Sequence, residues 1–136
     1  MTTIMDLDTP ALLVDGARLR RNIAAMQAAA DAAGVALRPH TKTHKSPVIA
    51  RMQVAAGARG ITVAKVGEAE VMVDAGFDDL FIAYPLIGEA KYRRLARLLD
   101  RARIAVAADS LEGVAALSAF FGPRGRRLPV VVEVDT

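Results

Sequence analysis

The sequence predicts an α/β fold in which a parallel sheet is covered by helices. Segments of helix length alternate with short apolar runs along most of the chain, as in βαβ units. The apolar runs, such as residues 80–83 and 130–132, are continuous, which is typical of parallel strands buried on both faces. The 136 residues are enough for one domain with a real core. Right-handed crossovers are compatible with two architectures, a doubly wound sheet and a (β/α)₈ barrel.

Capping residues mark the starts of the predicted helices. Asp15 can cap a helix over residues 16–33, which Gly34 ends. Ser46 is an N-cap followed by Pro47 at the first helical position, and this helix is expected to run to about residue 56. Three more helices are predicted, over residues 68–75, residues 88–101 and, after the Ser110 cap, residues 111–120.

Five strands fit between these helices, and they are predicted over residues 36–43, 60–66, 80–84, 103–108 and 128–134. Lys65 and Glu68, after the second of them, are interpreted as a charge pair that starts a helix. A further strand at residues 9–15 has no place in the alternation. The last strand reaches the end of the sequence at its carboxyl end, where sites form in parallel α/β folds. We therefore expect the chain to be a fragment of a longer protein.

Composition and charge argue against several classes of protein. With no cysteine, the chain has neither disulfides nor thiolate metal ligands. No apolar stretch approaches the ~18 residues of a membrane span, and the first eight residues lack the basic and apolar regions of a secretory signal. We therefore expect a cytoplasmic protein with no membrane partner. Arginines at residues 93–103 and 124–127 could suit nucleic acid, but an aromatic content of 4% leaves little for base stacking. A solvated, arginine-rich outer face is the favoured interpretation.

The segment over residues 37–47 carries the most chemistry. On a strand, Arg38, His40, Lys42 and His44 would share one face, and this face would hold both histidines of the chain. Burying such a set without partners would cost several kcal/mol, which a charged ligand at a sheet end would offset. A lysine amine must be neutral to attack an aldehyde, and nearby cations favour the neutral form. The pattern suits carbonyl chemistry, and the alternative is an edge strand with a solvated polar face.

Residues 38–45, RPHTKTHK, resemble the lysine signature of the group that contains D-threonine aldolase and eukaryotic-type D-serine dehydratase. Residues 8–15, 63–70 and 128–135 resemble, in turn, the opening of that family, its second-strand motif and the strand before its Gly-Met-x-Arg-type loop. The family consists of pyridoxal 5′-phosphate (PLP) enzymes related to the N-terminal barrel of alanine racemase. The resemblance covers essentially the whole chain and implies a fold-type III PLP enzyme with a (β/α)₈ TIM barrel.

The resemblance also implies a division of the chain and of the protein. Residues 16–136 would form an incomplete PLP-binding barrel with about five of its eight strands. Residues 1–15 would contribute a strand to a C-terminal β-domain that the chain lacks. The phosphate-binding loops and a divalent metal, zinc or manganese, are expected beyond Thr136. We therefore expect the fragment alone to be inactive and the full-length protein to be a homodimer.

In the family, the first lysine of the signature forms a Schiff base with PLP, and this position is Lys42 here. His40 and His44 are expected to line the cofactor. Two more candidates for cofactor binding follow strand ends, where barrel sites are built: Tyr84 and Asp109. Their simpler interpretations are an aromatic residue in the helix layer and a turn residue before the Ser110 cap. Lys45 is expected to have a supporting or surface role, and no residue of this chain is expected to bind metal.

The activity implied by the resemblance is a lyase of D-amino-acid metabolism that acts on small β-hydroxy-D-amino acids. It would either cleave the Cα–Cβ bond in a retro-aldol reaction or eliminate water with the help of a metal. Lys42 is needed for both reactions, and nothing in the chain separates them. The alternatives are an amino-acid racemase and a non-catalytic PLP-binding protein of cofactor homeostasis. From another class, a basic α/β module that binds nucleic acid is disfavoured by the aromatic content.

Overall fold

Residues 3–134 are described by a computed structural model, in which helices cover one face of a parallel sheet. The helices in this range are α1 (Gly16–Ala32), α2 (Pro47–Ala55), α3 (Val66–Asp74), α4 (Glu89–Leu98) and α5 (Leu111–Phe121). The strands are β1 (Ile61–Val63), β2 (Asp79–Ile82), β3 (Arg103–Ala108) and β4 (Val130–Val132), and they lie side by side in chain order. All three strand pairs are parallel, so each is joined by a helical crossover.

The predicted N-caps begin three of the helices. The side chain of Asp15 accepts a hydrogen bond from the Arg18 N–H at 2.9 Å. Ser46 and Ser110 cap α2 and α5 in the same way, at 3.4 and 3.3 Å. These bonds satisfy backbone donors that would otherwise lack a partner in the first turn. The boundaries of these three helices lie within about one residue of the prediction because their caps are visible in the sequence.

The hydrophobic core lies between the sheet and helices α3, α4 and α5. Alternate strand residues point towards the helices and are almost completely buried: Ile61, Val63, Leu80, Ile82, Ile104 and Val106. Met72 and Leu95 fill the space opposite them. Tyr92 packs on Phe120 at a ring-centroid distance of 5.6 Å and donates its hydroxyl to the Leu86 carbonyl at 3.0 Å. Because side chains alternate along a strand, burial of these residues on one face leaves the intervening side chains on the opposite face of the sheet.

The other face of the sheet lines an open cleft of about 480 Å³ near the amino ends of the strands. Arg38 forms an ion pair with Asp79 at 2.8 Å and also donates to the Asp79 carbonyl at 3.2 Å. Arg103 approaches the same carboxylate at 3.4 Å. Gly60 lies directly beneath this cluster and leaves room for the Arg38 guanidinium. The cleft therefore has a charged floor at the end of the sheet opposite the carboxyl ends of the strands.

The structure differs from the sequence prediction at the two N-terminal strands. Residues 36–43 form a single bridge, between His40 and Thr62, because the backbone turns into a 3₁₀ helix at Thr41–Thr43. Residues 9–15 form no strand, and the side chains of this segment are exposed. The described chain therefore has four strands and one bridged segment where five strands were predicted. The assignment of residues 1–15 to a further domain stays a prediction.

The arginines of the C-terminal half lie mainly on the outside of the helix layer. Arg94 pairs with Glu70, Arg101 with Asp74 and Arg126 with Asp100. These pairs agree with the interpretation of a solvated outer face rather than an unpaired basic surface. Within residues 3–134, no helix combines the length and the apolar character that crossing a membrane requires.

We predict that Gly60→Ala destabilises the fold because the added methyl group has no space. A Cβ atom at this position would clash with the Arg38 guanidinium and lie 2.6 Å from the Asp79 carbonyl oxygen. Overpacking of this kind costs about 1–3 kcal/mol, which urea unfolding would show as a lower midpoint. Gly122→Ala is the matched control, because nothing lies within 4 Å of a Cβ there. Equal midpoints for the two variants would contradict the close approach at Gly60.

Candidate active site

The residues of the lysine signature lie where the bridged segment meets β1. Three hydrogen bonds join Thr62 of β1 to this segment. Its N–H donates to the Pro39 carbonyl at 2.8 Å, and its hydroxyl donates to the Arg38 carbonyl at 3.2 Å. Its carbonyl accepts from the buried Thr41 hydroxyl at 3.1 Å. The turn that follows is therefore held next to the carboxyl half of β1, the end at which barrel sites form.

Lys42 lies in the middle of that turn. The His40 Nδ1 atom accepts a hydrogen bond from the Lys42 N–H at 3.2 Å, and the Lys45 N–H donates to the Thr41 carbonyl at 2.7 Å. These bonds close the turn and end the strand-like alternation after His40. Lys42 is exposed, and its ammonium forms no ion pair with any residue of the described range. The predicted common face of four residues is therefore wrong beyond His40, while Lys42 remains available to a ligand.

His44 makes the same kind of contact one turn later. Its Nδ1 atom accepts a hydrogen bond from the Ser46 N–H at 3.0 Å, just before α2 begins. Its Nε2 atom is buried without a hydrogen-bond partner among residues 3–134. Because both Nδ1 atoms accept from N–H groups, we infer that His40 and His44 are neutral and carry their hydrogen on Nε2. The two imidazoles thus stabilise the backbone on either side of Lys42.

The charges around the turn agree with neutral histidines. Burial lowers the pKa of His40, and the positive charge of Lys42 lowers it further. Burial is also the main reason why the pKa of His44 is lowered. Both side chains therefore gain a proton less readily than they would in an unfolded chain.

Glu68 is the functional residue that sequence reasoning missed. It was interpreted as the partner of Lys65, but its Oε1 atom lies 2.5 Å from the Lys45 ammonium. Its Oε2 atom accepts a hydrogen bond from the Ala64 N–H at 2.8 Å. The side chain is almost completely buried at the start of α3. A carboxylate at the third position of a helix that follows a strand could have suggested a structural role. Its partner could not be predicted, because the position of Lys45 depends on the turn at Lys42.

The remaining predicted residues lie at the expected strand ends. Tyr84 follows β2 and lines a cleft of about 550 Å³ in which Lys65, Lys91 and Arg94 also lie, between α3 and α4. Asp109 directly follows β3, is exposed, and makes no side-chain hydrogen bond within the described range. The structure brings His40, Lys42 and Lys45 together in one turn, and Tyr84 lies on the helix side of the sheet. The roles of His44, Tyr84 and Asp109 in cofactor binding stay predictions.

The lysine amine in this part of the protein fits the aldehyde end of PLP. An unpaired primary amine held at the carboxyl end of a parallel strand suits a covalent link to an aldehyde. Between residues 3 and 134 there is no cluster of three or more His, Asp or Glu side chains that could hold a metal ion. Among the described residues, Lys42 therefore fits the aldehyde of PLP.

Fold and site define this chain as a portion of a parallel (β/α) barrel that presents a lysine in the turn beside the carboxyl end of β1. The sequence matches the alanine racemase, N-terminal domain family over residues 14–136. The chain belongs to that family, which confirms both the predicted resemblance and the barrel over the doubly wound sheet.

The similar proteins cleave or dehydrate D-amino acids, as their names state. D-threonine aldolase of an Arthrobacter species is 44% identical over 129 residues, which cover 95% of this chain and 34% of that protein. The crystal structure of D-threonine aldolase from Filomicrobium marinum has 42% identity and a TM-score of 0.92, over 97% of this chain and 36% of that one. A variant of D-threo-3-hydroxyaspartate dehydratase, solved in the metal-free form, has 39% identity and a TM-score of 0.93, over 99% and 36%. The chain spans about a third of these proteins.

We predict that the free energy of unfolding falls as the pH is lowered from about 7 to about 5. The unfolded chain protonates its histidines near their ordinary pKa of 6.5, whereas the folded chain does so only at lower pH. The unfolded state therefore binds more protons in this interval, which lowers stability. Urea midpoints at the two pH values measure the effect.

The control is the double variant His40→Asn and His44→Asn. An asparagine Oδ1 atom can accept the N–H two residues on, as in an Asx turn, and it does not titrate. The difference between the two midpoints should shrink in this variant. The carboxylates of Glu68 and Glu70, whose pKa values are lowered, lose their stabilising contribution only at more acidic pH. An unchanged pH dependence in the double variant would show that the histidines are not responsible.

Proposed function

We propose that the complete protein is a PLP-dependent lyase of small β-hydroxy-D-amino acids and that Lys42 is its cofactor lysine. One observation carries the assignment of Lys42: two lysines lie in the signature turn, and only one of them is ion-paired. Lys45 contacts the buried Glu68 carboxylate, whereas Lys42 has no acidic partner in residues 3–134. Lys42 is therefore the amine that can reach a carbonyl group at the mouth of the barrel.

The described residues support three tasks in such an enzyme. Lys42 would hold the cofactor covalently through Nζ, and its amine could move a proton to or from the substrate Cα. His40 fixes the position of Lys42 by accepting the Lys42 N–H at its Nδ1 atom. When bound, PLP supplies the electron sink that either bond cleavage requires.

The names of the relatives support the substrate class but not the choice of reaction. D-threonine aldolase and D-threo-3-hydroxyaspartate dehydratase act on β-hydroxy-D-amino acids, and the chain is similar to both. We propose a divalent metal, zinc or manganese, in the part of the protein that follows this chain, since one relative was solved in a metal-free form. A homodimer in the cytoplasm, with no nucleic acid or membrane partner, completes the proposal.

The first prediction of this proposal concerns Lys42. After incubation with PLP and reduction with borohydride, peptide mapping should find the pyridoxyl phosphate group on Lys42. The amine bonds to the aldehyde carbon with loss of water, and hydride addition then makes the link permanent. Lys42→Arg should abolish this labelled peptide, because a guanidinium does not form the link under these conditions. Lys65→Arg is the matched control and should leave it unchanged. Label on Lys45 or Lys65, with Lys42 clean, would refute the assignment.

The second prediction separates the two lyase reactions in the full-length protein. An aldolase should convert D-threonine into glycine and acetaldehyde in equal amounts. A dehydratase should convert it into 2-oxobutanoate and ammonia, because the enamine left after loss of water is hydrolysed. Chromatographic analysis of the products distinguishes these outcomes, and Lys42→Arg is the inactive control. Formation of L-allo-threonine without cleavage would identify a racemase or epimerase instead, because such an enzyme inverts only the Cα centre.

A further inference from the structure

We propose that Glu68 is a positioning residue for Lys42: by engaging Lys45, it anchors the signature turn to β1 and leaves Lys42 as the one free amine of that turn. This inference rests on the proposed function of Lys42. It assigns a role to a residue outside the signature itself, on the helix that follows the neighbouring strand.

The contacts of Glu68 use both carboxylate oxygens and connect three parts of the chain. Oε1 binds the Lys45 ammonium at 2.5 Å, and Oε2 accepts from the Ala64 N–H at 2.8 Å, immediately after β1. The carboxylate itself lies at the start of α3, where the helix dipole favours a negative charge. Only 10% of the Glu68 side chain is exposed, against 59% for Lys45. Glu68 is therefore the fixed partner, and the lysine is the group that is drawn to it.

The backbone of Lys45 shows how this contact shapes the turn. Lys45 is the one non-glycine residue of the described range with a positive φ, 50°. This left-handed conformation is unfavourable for a residue with a Cβ atom. The ion pair to Glu68 and the 2.7 Å bond from the Lys45 N–H to the Thr41 carbonyl compensate for the strain. Without the carboxylate, the turn would lose the contact that holds it in this shape.

The same contact distinguishes two lysines that are three residues apart. An amine that is hydrogen-bonded to a buried carboxylate is less available to an aldehyde than an amine without such a partner. Hydrogen bonds from Lys45 and Ala64, together with the charges of Lys45 and Lys65, outweigh burial and lower the pKa of Glu68. Glu68 is thus charged at neutral pH, where PLP binds to lysines.

The test is the distribution of trapped PLP in Glu68→Gln. The chain is incubated with limiting PLP at neutral pH and reduced with borohydride, and the labelled peptides are quantified. Glutamine keeps the shape of the side chain and can still accept the Ala64 N–H, but it lacks the charge. We expect the ratio of label on Lys42 to label on Lys45 to fall by about tenfold, as for the loss of one charge-assisted hydrogen bond.

Glu70→Gln is the matched control. Glu70 lies on the same helix, but its carboxylate binds Arg94 at 2.8 Å and is directed away from the signature turn. Its removal should leave the labelling ratio as in the unmodified chain. Circular dichroism of both variants checks that the fold is retained.

A second pair of variants tests positioning separately from competition between the amines. Lys45→Met removes both the competing amine and the ion pair, so the rate of labelling at Lys42 should fall. Lys45→Arg also removes the competing amine but keeps the ion pair with Glu68, so the rate should be preserved. If Glu68→Gln does not fold, this pair decides the question.

The outcomes separate the two proposals. If the unmodified chain carries no label on Lys42, the proposed function is wrong. If Lys42 is labelled but neither the ratio in Glu68→Gln nor the rate in Lys45→Met changes, the positioning role is wrong and the proposed function stands. Equal losses in Lys45→Met and Lys45→Arg would also overturn it, because the ion pair would then have no effect.

Discussion

The site depends on the attachment of a non-strand segment to the edge strand of the sheet. Thr62 makes this attachment with its N–H, its hydroxyl and its carbonyl, and these three bonds substitute for a regular ladder. Each buried polar group of Thr41 and Thr62 that they satisfy would otherwise be left without a partner. Because the segment pairs only as far as His40, the backbone after it is free to turn, and Lys42 comes to lie in that turn.

The two ends of the same segment have opposite electrostatic roles. At one end Arg38 forms an ion pair with Asp79 in the floor of the cleft, where its guanidinium packs closely against Gly60. At the other end the histidines are neutral and Lys45 is paired with Glu68, whereas Lys42 has no acidic partner within the described range. An anionic ligand gains more from an unpaired cation than from one that a carboxylate already neutralises. The segment therefore separates the ion-paired Arg38 from the unpaired Lys42, which lie towards opposite ends of the strands.

Much of the fold could be predicted from the sequence because its signals are local. The caps at Asp15, Ser46 and Ser110, and the continuous apolar runs of the strands, depend on neighbouring residues alone. The turn at Lys42 could not be predicted in this way. Strand alternation places Lys42 and His44 on one face, but imidazole-to-backbone bonds compete with the ladder and turn the chain. The sequence of this threonine-rich segment, with a histidine at each end, is compatible with both a strand and a turn. Its contacts with the neighbouring strand β1 select the turn.

The assignment of the proposed cofactor lysine shows why the site could not be predicted without a three-dimensional structure. The signature contains two lysines in similar local surroundings, and the family resemblance selects Lys42 by its position in the motif. The structure adds an observation that is independent of the motif, since Glu68 forms an ion pair with Lys45 and not with Lys42. Burying the Glu68 carboxylate is tolerable because Lys45 and the Ala64 N–H both compensate its charge. In the positioning role proposed for it, this single buried acid, 23 residues beyond the lysine that it binds, leaves Lys42 as the free amine.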